Sequence, residues 1–357
     1  MKKYTEYIVE QVQKLLAIDS PTGYTQNVSS YLMDTYRELG YDPVLTVKGG
    51  VLVKIADGTV SGANTAENSC NPAGCGPILL MAHVDTLGAM VRQITPNGRL
   101  KLTPLGGMNP NNSETENCRI YTRDGKVYTG TFQLANASIH VNGEFNDTKR
   151  SYDSMEVLLD ELVNSAEDVK ALGIMTGDIV CFDPRTVVTP SGYIKSRFLD
   201  DKLSTAILLG YAKYLKEEKI CPARTIYQHI TVFEEVGHGA CASIPADVTE
   251  LLSVDMGCVG EGLECTECQV SICSKDSAGP YHYEVVSSLI NAAKKAGADF
   301  AVDVYPHYGS DADAALEAGI DARHGLIGPG VYASHGYERS HIKGVENTLK
   351  LLLAYLG

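Results

Sequence analysis

Pro77-Ile78-Leu79-Leu80-Met81-Ala82-His83-Val84-Asp85 is an unbroken apolar run that ends in an imidazole and a carboxylate. An apolar run without polar alternation suits a strand buried on both faces, the kind found at the centre of a parallel sheet. Further along, Ile226 to Glu235 and Leu251 to Asp255 repeat the pattern, apolar strand first and acidic residue at the end. Between and after these strands lie helical stretches. Leu203 to Lys219 is one. Tyr283 to Ala296 is another, with Val286, Leu289, Ile290 and Ala293 on one face. The alternation predicts an α/β fold built on a mostly parallel sheet with helices on both faces.

Ahead of the run, Tyr4 to Ala17 reads as a helix with Ile8, Val12, Leu15 and Leu16 on one stripe, broken by Ser20-Pro21-Thr22-Gly23. A second helix is expected from about Asn27 to Leu39, then a strand at Val51 to Ile55 and a polar loop or hairpin tip from Gly58 to Gly76. Past Asp85 the texture changes. From about Ala89 to Thr189 short β-like pieces are separated by turn residues such as Asp124-Gly125 and Asn142-Gly143, with a helix expected near Ser154 to Leu162. The division expected is therefore a first catalytic part at 1–88, an inserted β-rich domain at 89–189, and a second catalytic part at 190–357. After residue 196 come strands at Phe300 to Tyr305 and Arg323 to Ile327, a short helix at Ala312 to Ala318, and a last helix at Val345 to Leu356.

The 357 residues are 44% hydrophobic and 21% charged, which excludes wholesale disorder and a coiled-coil rod. A net charge of −14 repels phosphate backbones and anionic lipid, so neither nucleic acid nor membrane is an expected partner. The N-terminus lacks the apolar core of a secretory signal, and a cytoplasmic protein is expected. Its ten cysteines should then be mostly reduced thiols. Cys265 and Cys268 form a CxxC flanked by Cys258 and Cys273, but the outer spacings match no common zinc finger. The simpler expectation is a cysteine-rich surface loop.

In an open α/β sheet, sites form beyond the carboxyl ends of the strands, where His83, Asp85, Glu234, Glu235 and Asp255 fall. Residues two apart on an extended chain share a face, so in His83-Val84-Asp85 one side chain can hold a metal while the other fixes its tautomer. A solvated strand end would read the same way. Asp200-Asp201 could ligate, or simply cap the helix that follows. Glu234-Glu235 directly after Ile-Thr-Val-Phe is out of keeping with a buried strand, and such violations tend to mark functional sites. Two roles are open to the pair: one glutamate on a metal, the other beside it as a base, as a dinuclear hydrolase requires. Of the remaining histidines, His140 and His229 are expected in the core or half-buried. His335 is preferred as a ligand because it follows a strand expected at Arg323 to Ile327, with His341 its closest competitor.

Taken in order, these residues resemble the M42 family of metallo-aminopeptidases, which includes glutamyl and tetrahedral aminopeptidases. The resemblance runs from Ser20-Pro21-Thr22-Gly23 through Met81 to Gly88, Phe198-Leu199-Asp200-Asp201-Lys202, Phe233 to Gly237, Val254-Asp255 and Gly309-Ser310-Asp311 to Tyr332–His335, with Glu338 close after. It implies two divalent ions per subunit, zinc or cobalt. His83 and Asp255 would hold one, Glu235 and His335 the other, and Asp200 would bridge them. Glu234 would be the general acid/base and Asp85 the partner of His83. It further implies a phosphorylase/hydrolase-like catalytic domain, an inserted dimerisation domain, peptide substrates, and a homo-oligomer, either a dimer or a dodecamer. The chain departs from the family pattern at Lys202, where many members have Arg, and at Val331, where an Arg is common. A related dinuclear amidohydrolase or deacylase, an endoglucanase-type glycosidase and a non-catalytic scaffold are the competing readings. A standard glycosidase needs two opposed carboxylates and no metal, and a scaffold has no use for a spare base at Glu234.

Overall fold

A computed structural model describes residues 1–58 and 76–357. The loop expected at 58–76, with Cys70 and Cys75, lies almost wholly outside the described residues. Twelve strands form one mixed sheet. At its centre Ile226–Thr231, Ile78–His83, Glu250–Val254 and Arg323–Tyr332 run parallel side by side. Ile78 through Met81 are 0% exposed, as the apolar run requires. The flanks are antiparallel: Val51–Ala56 on one side, and Glu338–His341, Tyr193–Ser196 and Val187–Val188 on the other. Parallel pairing therefore holds for the central four strands and recurs where Gly257–Val259 joins Arg323–Tyr332 and where Val270–Lys275 joins Phe300–Val304, while the flanking strands pair antiparallel.

Register places the reactive ends together. Thr231 pairs with His83, so both strands finish at the same edge of the sheet. Glu234–Val236 follows as a single 3-10 turn, not as the strand continuation expected from the sequence. Asp255 comes directly after Val254, itself paired with Ile327. The first helix, Lys2–Leu16, lies against the long helix Leu199–Glu218. From the latter, Lys202 reaches back, its Nζ donating to the carbonyls of Leu15 at 2.9 Å and Ile18 at 2.7 Å. That contact closes the end of the first helix and delivers Ser20-Pro21-Thr22 beside Val84–Thr86, where the Ser20 hydroxyl donates to Val84 O at 2.8 Å.

Six strands between Gly88 and Phe182 close into a separate barrel, in the order Gly88–Ile94, Leu100–Leu105, Met155–Leu159, Val127–Leu134, Glu116–Tyr121, Ile179–Phe182. The helix expected near Ser154 to Leu162 is instead the strand Met155–Leu159. Its buried residues Met155, Val157 and Leu159 recur every second position, and it pairs with Val127–Leu134. Five residues are too few to separate a helical from a strand period by pattern alone. Two other expectations are corrected. His140 is exposed in a turn and is not a core residue. The cysteine group is a surface loop only in part: Cys265 and Cys268 lie in the loop before Val270–Lys275, but Cys265 is 3% and Cys273 0% exposed, both as free thiols that burial pushes up to about 12. Among the described residues, no helix is long and apolar enough to cross a membrane.

Close approach of the two packed helices depends on Gly210. A Cβ there would sit 2.3 Å from Ile8 Cγ1. Gly210→Ala is expected to destabilise the protein by about 1–3 kcal/mol through overpacking. In an Ile8→Ala background the same change should cost far less, because the two residues touch and their effects do not add. Denaturant midpoints of the two single variants and the double variant test this; strictly additive losses would rule the contact out as the cause.

Candidate metal centre and reaction cavity

Three kinds of local geometry deliver the site. Strand ends carry His83 and Asp255. The long helix begins with a non-helical lead-in at Asp200 and Asp201, joined by a cis peptide bond, so these two precede the regular turns and do not sit on them. Finally, left-handed residues turn the chain at the other approaches: Phe198 at φ 67°, Phe233 at φ 70°, Ala333 at φ 59° and His335 itself at φ 61°. Non-glycine residues in this region each cost on the order of 1–3 kcal/mol, and they cluster where a site needs side chains aimed against the backbone's preference.

At the centre, Asp200 faces two imidazoles. Its Oδ1 is 3.1 Å from His83 Nε2, and its Oδ2 is 3.5 Å from His335 Nε2. Glu235 Oε2 is 3.6 Å from His335 Nε2, and Glu234 Oε2 is 3.6 Å from His83 Nε2. His83, Asp201 and Asp255 form a second group whose ligand atoms lie within 4.8 Å of one another, beside that of His83, Asp200 and Glu235. Behind His83, Nδ1 is 3.0 Å from the backbone carbonyl of Asp85 and 3.6 Å from its carboxylate. The Asp85 carboxylate accepts from the Thr22 hydroxyl at 2.7 Å and from the Glu234 N–H at 3.2 Å. It thereby ties the Ser20–Gly23 turn, the His83 strand end and the Glu234 turn together. His341 lies apart. Its Nδ1 accepts from Lys343 N–H at 3.0 Å, and its Nε2 is 3.0 Å from Ser191 O.

Sequence reasoning left Asp201 between ligation and helix capping, and gave no role to Glu338 or the barrel loop. Glu338, 2% exposed, accepts from His335 N–H at 3.0 Å and from Asp200 N–H at 3.1 Å, so one side chain sets two proposed ligands. Its only signal in the sequence was its closeness to His335. From the other side, barrel residues Gly106 and Gly107 press on the site. A Cβ on Gly107 would stand 2.7 Å from His335 Nδ1, and one on Gly106 would stand 3.3 Å from Glu235 Cβ. Asn112 Nδ2 donates to His335 O at 3.0 Å.

The charges agree with a cation-binding centre. Burial, then neighbouring carboxylates, holds Glu234 and Glu235 well above the usual carboxyl range and Asp255 up at about 7. Asp200 goes the other way. Burial would raise it, but the hydrogen bonds to His335 and His83 outweigh that and pull it down. Burial lowers His83, yet the acids around it carry it well above the ordinary imidazole value. Buried carboxylates in such excess call for positive charge. No Lys or Arg is among the cavity-lining residues. Glu235 Oε1 and Asp201 Oδ1 are buried without a hydrogen-bond partner. Imidazole and carboxylate donors with orphaned oxygens fit divalent ions. The centre opens on a cavity of about 820 Å³ that Ser277, Ala278, Tyr308, Asp313, Ala314 and Glu317 also line.

Comparison with known proteins agrees with this fold. The family described as M42 glutamyl aminopeptidase matches residues 68–351. A relative described as putative aminopeptidase YhfE, from Bacillus subtilis (strain 168), is 42% identical over 348 residues, 98% of this chain and 96% of that one. Among solved structures, an aminopeptidase from the archaeon Desulfurococcus kamchatkensis superposes with a TM-score of 0.83 at 20% identity, covering 99% of this chain and 95% of that one. The Pyrococcus horikoshii TET1 peptidase, described as assembling into a tetrahedron or a large octahedral shell, gives 0.82 at 19% identity over 97% and 98%. With a family match over most of its length and so close a relative over nearly all of it, the chain belongs to the M42 glutamyl aminopeptidase family and is a peptidase.

Proposed function

We propose that the protein removes N-terminal residues from peptides with two divalent ions, zinc or cobalt, bound at this centre. The observation that carries the reading is Asp200, one carboxylate with an oxygen towards each of two imidazoles. His83 and Asp255 would hold one ion, Glu235 and His335 the other, with Asp200 shared. When bound, the ions polarise the scissile carbonyl and ease deprotonation of the attacking water. Glu234, buried at the edge of the cavity with its Oε2 3.6 Å from His83, takes that proton and passes it to the leaving amine. Burial, which raises its affinity for a proton, suits a group that must both accept and return one. Asp85 acts behind them by holding His83 and the Glu234 turn in register.

The same reading divides the chain into catalytic parts at 1–88 and 190–357 and a barrel domain at 89–189. In it the barrel joins subunits into a homo-oligomer, a dimer or a dodecamer. The assemblies named for the Pyrococcus horikoshii relative support an oligomer. Free thiols at every described cysteine accord with a reducing compartment, and we place the protein in the cytoplasm.

Three outcomes are expected. Chelation should abolish peptidase activity, and zinc or cobalt should restore it; full activity in protein shown metal-free by elemental analysis would overturn the reading. Glu234→Gln should keep both ions and lose roughly 10²–10⁴-fold in kcat, whereas Glu235→Gln should lose affinity for one ion, because a neutral amide is the poorer ligand. Native mass spectrometry with rates at saturating metal separates the two roles. The third outcome concerns Gly107. A methyl group there must push the His335 ring aside, so Gly107→Ala should bind one ion more weakly. Gly143→Ala, where nothing lies within 4 Å of the added methyl, should bind both ions as the parent does. Metal titration of the two variants distinguishes a His335 that ligates from one that does not.

A further inference from the structure

The turn that carries Glu234 is secured from several sides, and one of its fixings comes from outside the cavity. Phe233 opens the turn at φ 70°, and the Gly237 N–H closes it by donating to Glu234 O at 2.7 Å. Asp85 accepts from the Glu234 N–H at 3.2 Å. Further on, the chain folds back so that Gly239 lies against Glu234. A Cβ on Gly239 would stand 3.1 Å from Glu234 Cα and would collide with Asp311 Oδ1. The Gly239–Ala240 peptide unit therefore forms the backing of the Glu234 backbone. Glu235 is backed from the other side, by Gly106 of the barrel.

Both polar groups of that peptide unit are held by charged side chains of opposite sign. Asp311 accepts from the Ala240 N–H at 2.7 Å, and its other oxygen takes the Thr231 hydroxyl at the strand end. Lys48 Nζ donates to Gly239 O at 2.8 Å and to His238 O, and it lies 3.4 Å from Cys241 Sγ. An ammonium on the carbonyl and a carboxylate on the N–H make two charge-assisted hydrogen bonds along one peptide dipole. Each polarises the unit in favour of the other. The Lys48 ammonium also lies 5.8 Å from the centre of the Phe233 ring, which stacks on His238. One side chain thus spans the turn from residue 233 to residue 241.

Lys48 is presented by a firm support. It sits in the turn that joins Val44–Leu45 to Val51–Ala56. There the Thr46 N–H donates to Gly50 O at 2.8 Å, the Gly50 N–H donates to the Thr46 hydroxyl at 2.9 Å, and the Ser29 hydroxyl donates to Gly49 O at 2.7 Å. Gly50 lets this turn close on the neighbouring strand, since a Cβ there would stand 2.8 Å from Ile230 O. Lys48 is not among the residues that line the cavity, so its effect on the reaction must pass through the backbone it holds.

We propose that Lys48 is a positioning residue for the general acid/base: by holding the Gly239–Ala240 peptide unit against Glu234, it fixes the direction in which the Glu234 carboxylate enters the cavity. The proposal rests on the peptidase reading and on the role given there to Glu234. Because Glu235 has its own backing from Gly106, the ions do not depend on Lys48.

The test uses the holoenzyme with both ions verified by native mass spectrometry. Lys48→Met keeps a long side chain and removes the ammonium, at a half-buried position on a surface turn. Its kcat should fall about 10- to 100-fold, the scale on which a small misplacement of a reacting group acts. Its KM should stay within about twofold, because binding common to substrate and transition state is untouched. Lys48→Arg, still a cationic donor, should lose less. Backbone amides of the segment 236–243 should exchange hydrogen faster in Lys48→Met than in the parent, with or without metal. The decisive comparison adds Lys48→Met to Glu234→Gln. With the base already gone there is nothing left to aim, so the second change should lower kcat by no more than about twofold. Losses that simply multiply, a kcat unmoved by Lys48→Met, or an ion lost from that variant would overturn the proposal and leave the peptidase reading intact. A parent holoenzyme that cleaves no peptide with both ions bound would sink the peptidase reading, and this proposal with it.

Discussion

Asp200 is shared between two imidazoles that arrive from opposite ends of the chain, and the rest of the molecule is arranged so that this can happen. His83 comes up a central strand, Asp200 down from the lead-in to a long helix, and His335 around a turn after the strand Arg323–Tyr332. A buried carboxylate flanked by further carboxylates is unfavourable unless cations or protons compensate. The fold limits their withdrawal by tying the backbone amides of Asp200, His335 and Glu234. Glu338 fixes Asp200 and His335 by their N–H groups, and Asp85 fixes the Glu234 turn by its own. The centre is preorganised by hydrogen bonds that do not themselves involve the reacting atoms, which is how a site avoids reorganising when charge moves.

The same logic accounts for where the backbone is least comfortable. Phe198, Phe233, Ala333 and His335 all adopt left-handed conformations within two residues of a proposed site group. A strand continued through Glu234 would have sent Glu234 and Glu235 to opposite faces. Turning at Phe233 brings both carboxylates to one cavity instead. The sheet can carry that cost because its central strands, apolar and fully buried, contribute so much stability elsewhere.

That division explains what could be read from the sequence. The central strands were legible because Ile78 to Met81 has no polar alternation, and the helices because their apolar stripes run long enough to define a period. Groups at strand ends were legible because acids there contradict the strand before them. The strand Met155–Leu159 was not, being too short for its period to show. Glu338 was seen only as a neighbour of His335, because a side chain that works through two backbone amides carries no motif. Gly106 and Gly107 were invisible for a different reason. What matters there is the absence of a Cβ against His335 and Glu235, residues far away in sequence.

The barrel is usefully seen from its attachments. It leaves the sheet at Gly88, three residues after Asp85, and the chain returns through Tyr193–Ser196 to Arg197 and Asp200. It is therefore threaded between the segments that bear His83 and Asp200. Arg197, 3% exposed, staples the return: it donates to Glu116 Oε2 at 2.6 Å, to Asp183 O at 2.9 Å and to Asn112 O at 2.6 Å. Asn112 in turn donates to His335 O. A buried guanidinium with several partners is a rigid junction, because loss of any one partner leaves charge unpaired. The barrel thus touches the centre at Gly106–Gly107, holds the His335 turn through Asn112, and fixes the approach to Asp200 through Arg197. An insertion joined in these three ways moves with the centre, and anything that seats or shifts the barrel bears on the same carboxylate that the two imidazoles share.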